Sequence, residues 1–209
     1  MKTLRSLAKA SLRGIAALVV LPAFASFRVR SVFLGRDRAL EGSSQILSLV
    51  PGLTGQYLRR AFYRLTLAAC HPTATIEFGT LLSKADSRLD ENAYVGPHCH
   101  LGWVHLERDV LVGPGVSIPR GPPIPGTRDT RIPIREQPGE VRLVRIGAGS
   151  WIGTGAVVMA DVGRESIVAA GAVVTRPIPE EVVAGGVPAR VLRARERLPW
   201  TPGMTGRTA

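Results

Sequence analysis

The sequence predicts an all-β solenoid, a parallel β-helix led by a helical segment, and three observations carry that expectation. From Ile146 to Thr175 an aliphatic residue recurs every six positions, usually with Gly or Ala after it: Ile146-Gly147, Ile152-Gly153, Val158 and, after one short step, Val162-Gly163, Val168-Ala169, Val174-Thr175. The same beat sounds upstream in Val95-Gly96, Leu101-Gly102, Val112-Gly113 and Ile118. Such a period fits neither an amphipathic helix nor the two-residue alternation of a hairpin sheet. It is an internal repeat in which each hexad supplies one short strand and one corner, with the aliphatic residue pointing inward. Composition is the third observation. Aromatic residues make up only 5% of the chain, which suits a narrow interior filled by Val, Ile, Leu and Ala, and 45% hydrophobic against 21% charged residues excludes a disordered polymer.

Residues 1–39 form a segment of their own. Lys2, Arg5, Lys9 and Arg13 precede an apolar run from Gly14 to Phe27, which Arg28 and Arg30 close. The run is short of the roughly 20 residues that span a bilayer, and it contains Pro22. A basic amphipathic helix lying on a membrane surface fits it best. An uncleaved anchor, a secretory signal ending at Ala23-Phe24-Ala25 and a plain packing helix are the alternatives. Residues 40–73 then read as a helical cap. One helix runs through Ile46-Leu47-Ser48-Leu49-Val50 to a stop at Pro51-Gly52, and a second spans roughly Thr54 to Ala69. A solenoid end exposes unpaired strands, and a cap covers them.

The β-helix is expected over 74–193. Its early hexads, at Ile76, Leu82, Leu89 and Val95, include one longer step, and the beat is regular from Leu106 to Ile118. It then stops for residues 119–145, where Pro119, Pro122, Pro123, Pro125, Pro133 and Pro138 mark a long protruding loop. A structureless loop of this length inside a regular array is usually functional. The tail, 194–209, holds Pro199, Pro202 and Gly203 and carries no repeat.

The net charge of +11 comes almost wholly from arginine, since only Lys2, Lys9 and Lys84 are lysines. A basic surface attracts phosphates of any origin, but the arginines are scattered and no nucleic-acid module is visible, so nucleic acid is not the expected partner. Cys70 and Cys99 are too few for a disulfide framework and lack CxxC spacing. They read as small core residues.

The repeats, together with Trp151-Ile152-Gly153, the run Ala170-Gly171-Ala172-Val173-Val174-Thr175-Arg176 and Gly185-Gly186-Val187-Pro188-Ala189-Arg190, resemble the hexapeptide-repeat acyltransferases. Maltose and galactoside O-acetyltransferases and the acetyltransferases of exopolysaccharide clusters are the most similar branches. The resemblance implies a left-handed helix with three faces per coil, a homotrimer, and acetyl-CoA as co-substrate bound between subunits. It places Thr154 and Ala170 beside the pantetheine arm, and it aligns Thr175-Arg176 with the family's Thr-Lys pair. Arg190 and Arg193 match basic residues near the CoA phosphates, where guanidinium groups bind bidentately. No metal is implied.

Acyl transfer needs a base to deprotonate the attacking hydroxyl or amine, and an imidazole suits that role. The family's base is a histidine in the protruding loop. Here the loop has none, and the matching position falls on or beside Pro125. The remaining histidines are His71, His98, His100 and His105. A functional histidine in an earlier coil of the similar serine acetyltransferases makes His98 and His100 the candidate bases, with His105 a further one. Corner histidines without a catalytic role are the bland reading. A γ-class carbonic-anhydrase-like metal site needs a third histidine on a neighbouring coil, and none is present. The expected function is therefore acyl transfer from acyl-CoA to a sugar, glycan or similar acceptor. It would take place in the cytoplasm, where CoA is, in association with the inner face of the membrane. The alternative is a non-catalytic CoA-binding or scaffolding trimer.

Overall fold

The computed structural model describes residues 2–119, 131–133 and 142–196, with side chains from Ser11 onward. Four helices lead: α1 (Lys2–Val19), α2 (Leu21–Leu34), α3 (Arg36–Ser48) and α4 (Gly52–Thr66). The apolar run from Gly14 to Phe27 is not one helix. It breaks at Val20, and the chain bends by 44° into α2, whose first turn holds Pro22. Proline lacks an N–H and crowds the preceding turn, so it is tolerated at a helix start and not inside. Gly35, at φ +81°, turns the chain into α3, which begins four residues before Leu40. No single described helix is long and apolar enough to cross a membrane.

Among the described residues, fifteen of sixteen strands are stacked in parallel as three sheets that wind around one interior. Sheet A holds β1 (Ala69–Cys70), β4 (Arg88–Leu89), β7 (Val104–Leu106) and β10 (Val144–Ile146). Sheet B holds β2 (Thr75–Ile76), β5 (Tyr94–Val95), β8 (Leu111–Val112), β11 (Trp151–Ile152), β13 (Ile167–Val168) and β15 (Val182–Gly186). Sheet C holds β3 (Leu81–Leu82), β6 (His100–Leu101), β9 (Ser117–Ile118), β12 (Val157–Val158) and β14 (Val173–Val174). The solenoid thus begins at Ala69, earlier than the expected residue 74. Every predicted inward residue from Ile76 to Val174 is buried, most of them completely. Side chains of this size contribute about 1.5–3 kcal/mol each when fully buried.

Steps from A to B and from B to C are six residues in every coil: Leu89 to Val95 to Leu101, Leu106 to Val112 to Ile118, Ile146 to Ile152 to Val158. All irregularity falls at the C-to-A corner, as in Leu82 to Leu89, Leu101 to Leu106 and Val158 to Val162. The long insertion leaves at that same corner, between Ile118 and Val144, and residues 120–130 and 134–141 lie outside the described residues. Those include Pro125, on or beside the position that matches the family's base.

The helices cover the first coil by direct hydrogen bonding. Arg59 Nε donates to the Ile76 carbonyl at 2.9 Å, and its Nη1 donates to Leu47 and Val50. The Leu82 amide donates to Ser44 Oγ at 2.9 Å and the Ala85 amide to Asp37 at 3.0 Å. These bonds satisfy edge groups that an open solenoid end would leave to a foreign strand. Phe27, Phe62 and Tyr63 pack edge-on beneath them and are buried. At the other end β16 (Ala189–Ala194) folds back antiparallel on β15 and closes sheet B.

Candidate functional site

Five backbone turns stack at the corner between sheets B and C. Residues Gly79, His98, Gly115, Gly155 and Gly171 occupy the left-handed region there, with φ from +57° to +75°. A ladder of main-chain bonds links them. The His98 amide donates to Phe78 at 3.0 Å, Gly115 to Pro97, Gly155 to Pro114 and Gly171 to Thr154, each of these at 2.9 Å. Thr154 and Ala170 are therefore successive exposed rungs of one column. The column is tight beneath and open above. A Cβ on Gly153 would lie 2.5 Å from the Ala170 nitrogen, whereas Gly155 and Gly171 face open space. The result is a smooth ledge of small residues with exposed backbone, a surface that accommodates an extended, flexible chain.

The β15–β16 hairpin stands at the head of this ledge. Gly185 faces Arg190 and Gly186 faces Ala189 across a cis Val187-Pro188 turn, and Arg193 pairs with Val183. Both arginines are exposed. Arg190 Nη1 donates only to its neighbour's carbonyl, Ala189, at 3.1 Å, and Arg193 Nη1 to Ala194 at 3.3 Å. Neither has a carboxylate partner among the described residues, so both remain able to bind phosphate. Thr175 and Arg176 are exposed as well, but they follow β14 and sit at the C-to-A corner, one strand away from Ala170.

The three clustered histidines separate onto three aspects of the solenoid. His98 belongs to the ledge column itself, one rung above Gly79. Its ring meets Phe78 edge-on at 5.4 Å and lies against Gly79, where a Cβ would be 2.3 Å from Nδ1. His100 is exposed on the outer face of sheet C, between Leu81 and Ser117 in register. His105 stands on sheet A between Arg88 and Arg145, with Nε2 2.8 Å from Asp90 Oδ2 and its side chain 14% exposed. His71 pairs locally through Nδ1 with Thr73 Oγ1. Among the described residues no three His, Cys, Asp or Glu side chains converge on one point. The His105–Asp90 pair was not visible in the sequence. Partners that stack vertically are separated by one coil, and the coil length changes wherever the C-to-A corner does.

A larger cleft, about 570 Å³, opens at the A-to-B corner among Arg108, Arg164, Glu165, Glu181 and Arg195. Ion pairs between its own walls occupy it, Arg164 with Glu181 at 4.0 Å and Arg195 with Glu165 at 3.3 Å. None of the expected CoA-binding residues lines it.

No family model matches the chain. The galactoside O-acetyltransferase of Escherichia coli K12 is 28% identical over 170 residues, covering 68% of this chain and 80% of that protein. A Saccharomyces cerevisiae protein named as a candidate acetyltransferase is 48% identical over 52 residues, and this match spans only 26% of that protein's length. In fold, a galactoside acetyltransferase solved with coenzyme A superimposes with a TM-score of 0.64 at 22% identity, over 77% of this chain and 81% of that one. In sequence and in fold this chain is similar to the hexapeptide-repeat acetyltransferases. A maltose O-acetyltransferase of Clostridium difficile 630 gives 0.61 at 20% identity, over 77% and 89% of the two chains. The solenoid is accordingly the left-handed β-helix of that group, an exception to the right-handed rule for parallel crossovers.

Proposed function

We propose that this protein transfers an acetyl or similar acyl group from acyl-CoA to a hydroxyl or amino group of a sugar, glycan or related acceptor. The observation that carries the reading is the continuous ledge at the B-to-C corner, which runs from Arg190 at its head down to His98 and the turn beneath it. From the hairpin down to the coil of His98 there are four strand spacings, about 19 Å at ~4.8 Å each. An extended pantetheine arm fits that span. Arg190 and Arg193 bind phosphate oxygens, Thr154 and Ala170 flank the arm, and Thr175-Arg176 bind it or a phosphate from the neighbouring corner. The thioester then arrives beside His98 and His100. One of these imidazoles takes the acceptor's proton as its oxygen or nitrogen attacks the thioester carbonyl. Collapse of the tetrahedral intermediate breaks the C–S bond, and the departing CoA thiolate recovers the proton from the imidazolium.

The working form is read as a homotrimer on the inner face of the membrane. Sheet B supports the first part, because Tyr94, Leu111, Trp151, Ile167 and Val183 stack in register along its outer face, with Leu111 and Trp151 each 50% exposed. Helices α1 and α2 support the second, since they are basic and expose many apolar side chains.

Calorimetry with acetyl-CoA, followed by acetyl transfer across a panel of sugars, tests the proposal. Arg190→Ala is expected to weaken acetyl-CoA binding about tenfold or more. His98→Ala or His100→Ala is expected to lower kcat by about 10²–10⁴ while binding persists. Absence of acetyl-CoA binding by the unaltered protein overturns the reading.

A further inference from the structure

The helical segment contains a second cleft, about 280 Å³, between α1 and α4. Arg13, Arg60 and Arg64 line it with Tyr57, and among the described residues no carboxylate does. Arg60 is 9% exposed and is held in place by the Ala74 carbonyl at 3.1 Å and by the Tyr57 ring, whose centroid lies 4.7 Å from its Cζ. Arg13 Nε is buried with no hydrogen-bond partner in the described structure. Arg60 is also held below its ordinary pKa, first by burial and then by repulsion from Arg13. Bringing like charges together with partial desolvation raises the free energy of the empty cleft, and an anion would lower it.

The surroundings identify the anion's carrier. The first acidic residue of the chain is Asp37, so α1 and α2 carry Lys2, Lys9, Arg5, Arg13, Arg28 and Arg30 with no opposing charge. The same two helices expose Ile15, Leu18, Val29, Val32 and Phe33 at 58–81%. A soluble phosphate compound would need the cleft but not the apolar surface. An anionic bilayer needs both, apolar side chains for the acyl boundary and cations for the headgroups. We infer that the Arg13–Arg60–Arg64 cleft binds the phosphate of an anionic phospholipid while the exposed face of α1–α2 seats in the interface. This inference rests on the membrane reading above and is independent of the acyl-transfer reading.

The test is flotation of the full chain with vesicles of phosphatidylcholine alone or mixed with phosphatidylglycerol. Binding to the mixed vesicles only is expected. Arg13→Ala/Arg64→Ala is expected to weaken it by about thirtyfold, with an unchanged melting temperature showing that the fold survives; Arg60 is left in place because it bonds the first coil. The charge-matched pair Arg28→Ala/Arg38→Ala must lose clearly less. Equal losses overturn the cleft in favour of diffuse attraction. Val32→Ser/Phe33→Ser separates the two readings. If it releases the protein while Arg13→Ala/Arg64→Ala does not, the membrane reading stands and the cleft falls. If the unaltered protein ignores both vesicles, both fall. Thermal stabilisation by inorganic phosphate without vesicle binding, or a changed oligomeric mass in Arg13→Ala/Arg64→Ala without any change in vesicle binding, overturns the lipid assignment too.

Discussion

Gly153 is the residue on which the candidate ledge is least tolerant of change. A methyl group there meets backbone, the Ala170 nitrogen at 2.5 Å and the Ala169 carbonyl carbon at 2.8 Å, and neither can rotate away. Gly171 differs in kind, since its φ of +68° strains any side chain but the space around it is open. Gly153→Ala is therefore expected to cost about 1–3 kcal/mol and to move the coil above it. Gly171→Ala is expected to cost about 1–2 kcal/mol through backbone strain alone. Urea midpoints report both costs, and acetyl-CoA affinity separates them, because only the first displaces Ala170. Equal affinity in the two variants would detach the ledge from CoA binding. At this scale much of the site was legible. Hexad alignment puts His98 at the corner step that Gly115 and Gly171 occupy in their coils, so its exposure and its column follow from the repeat. The His105–Asp90 pair did not follow, because 17 residues separate Arg88 from His105 but 19 separate Ala69 from Arg88 in the stacked register.

At the scale of elements, the helical cap and the first coil are joined through a few buried polar groups. Ser44 Oγ accepts from the Leu82 amide and shares a 2.8 Å hydrogen bond with the Tyr63 hydroxyl. Burial pushes the Tyr63 phenol up to about 12. An unfolded tyrosine loses its proton near pH 10, so between pH 10 and 12 the unfolded chain binds fewer protons than the folded one, and stability falls as pH rises. The loss attributable to Tyr63 is about 2–3 kcal/mol across that window. Cys70, whose thiol burial likewise pushes up to about 12, acts in the same direction, so the measurement uses a Cys70→Ser background. Urea midpoints are then expected to fall more steeply above pH 10 with Tyr63 than with Tyr63→Phe. Parallel curves would mean that the phenol ionises as freely in the folded protein as in the unfolded one. The sequence announced a cap through the stop at Pro51-Gly52, but it could not place Arg59. An arginine on a helix face ordinarily reads as solvated charge, and here it is completely buried because three carbonyls, Ile76, Leu47 and Val50, need a donor that reaches them. The break at Val20 was also hidden. Hydrophobicity runs straight through it, and only Pro22 marks the new helix start.

At the scale of the whole molecule, the three faces of the solenoid differ in what they offer a neighbour. Sheet A presents Arg88, His105 and Arg145, with His105 against Asp90 and Arg145 paired with Glu107. Sheet C presents His100, Ser117, Val157 and Val173 next to the ledge. Sheet B alone carries an unbroken apolar stripe, from Tyr94 through Leu111 and Trp151 to Ile167. An exposed stripe of that kind marks an interaction surface, and a face repeated identically on each copy closes into a ring when the rotation allows. Trp151→Arg places a charge at its centre without touching the interior, since Ile152 supplies the inward side chain of that strand. The variant is expected to keep its circular dichroism and to run as a monomer by light scattering, and the proposal expects the unaltered protein to run as a trimer. Acetyl-CoA binding decides how the assembly serves the site. Binding lost together with the trimer means that a neighbouring subunit completes the ledge. Binding retained by the monomer means that Thr154, Ala170 and Arg190 suffice within one chain, and assembly then contributes the acceptor side, where the long C-to-A insertion leaves the solenoid. An unchanged mass would assign the stripe on sheet B to a different partner.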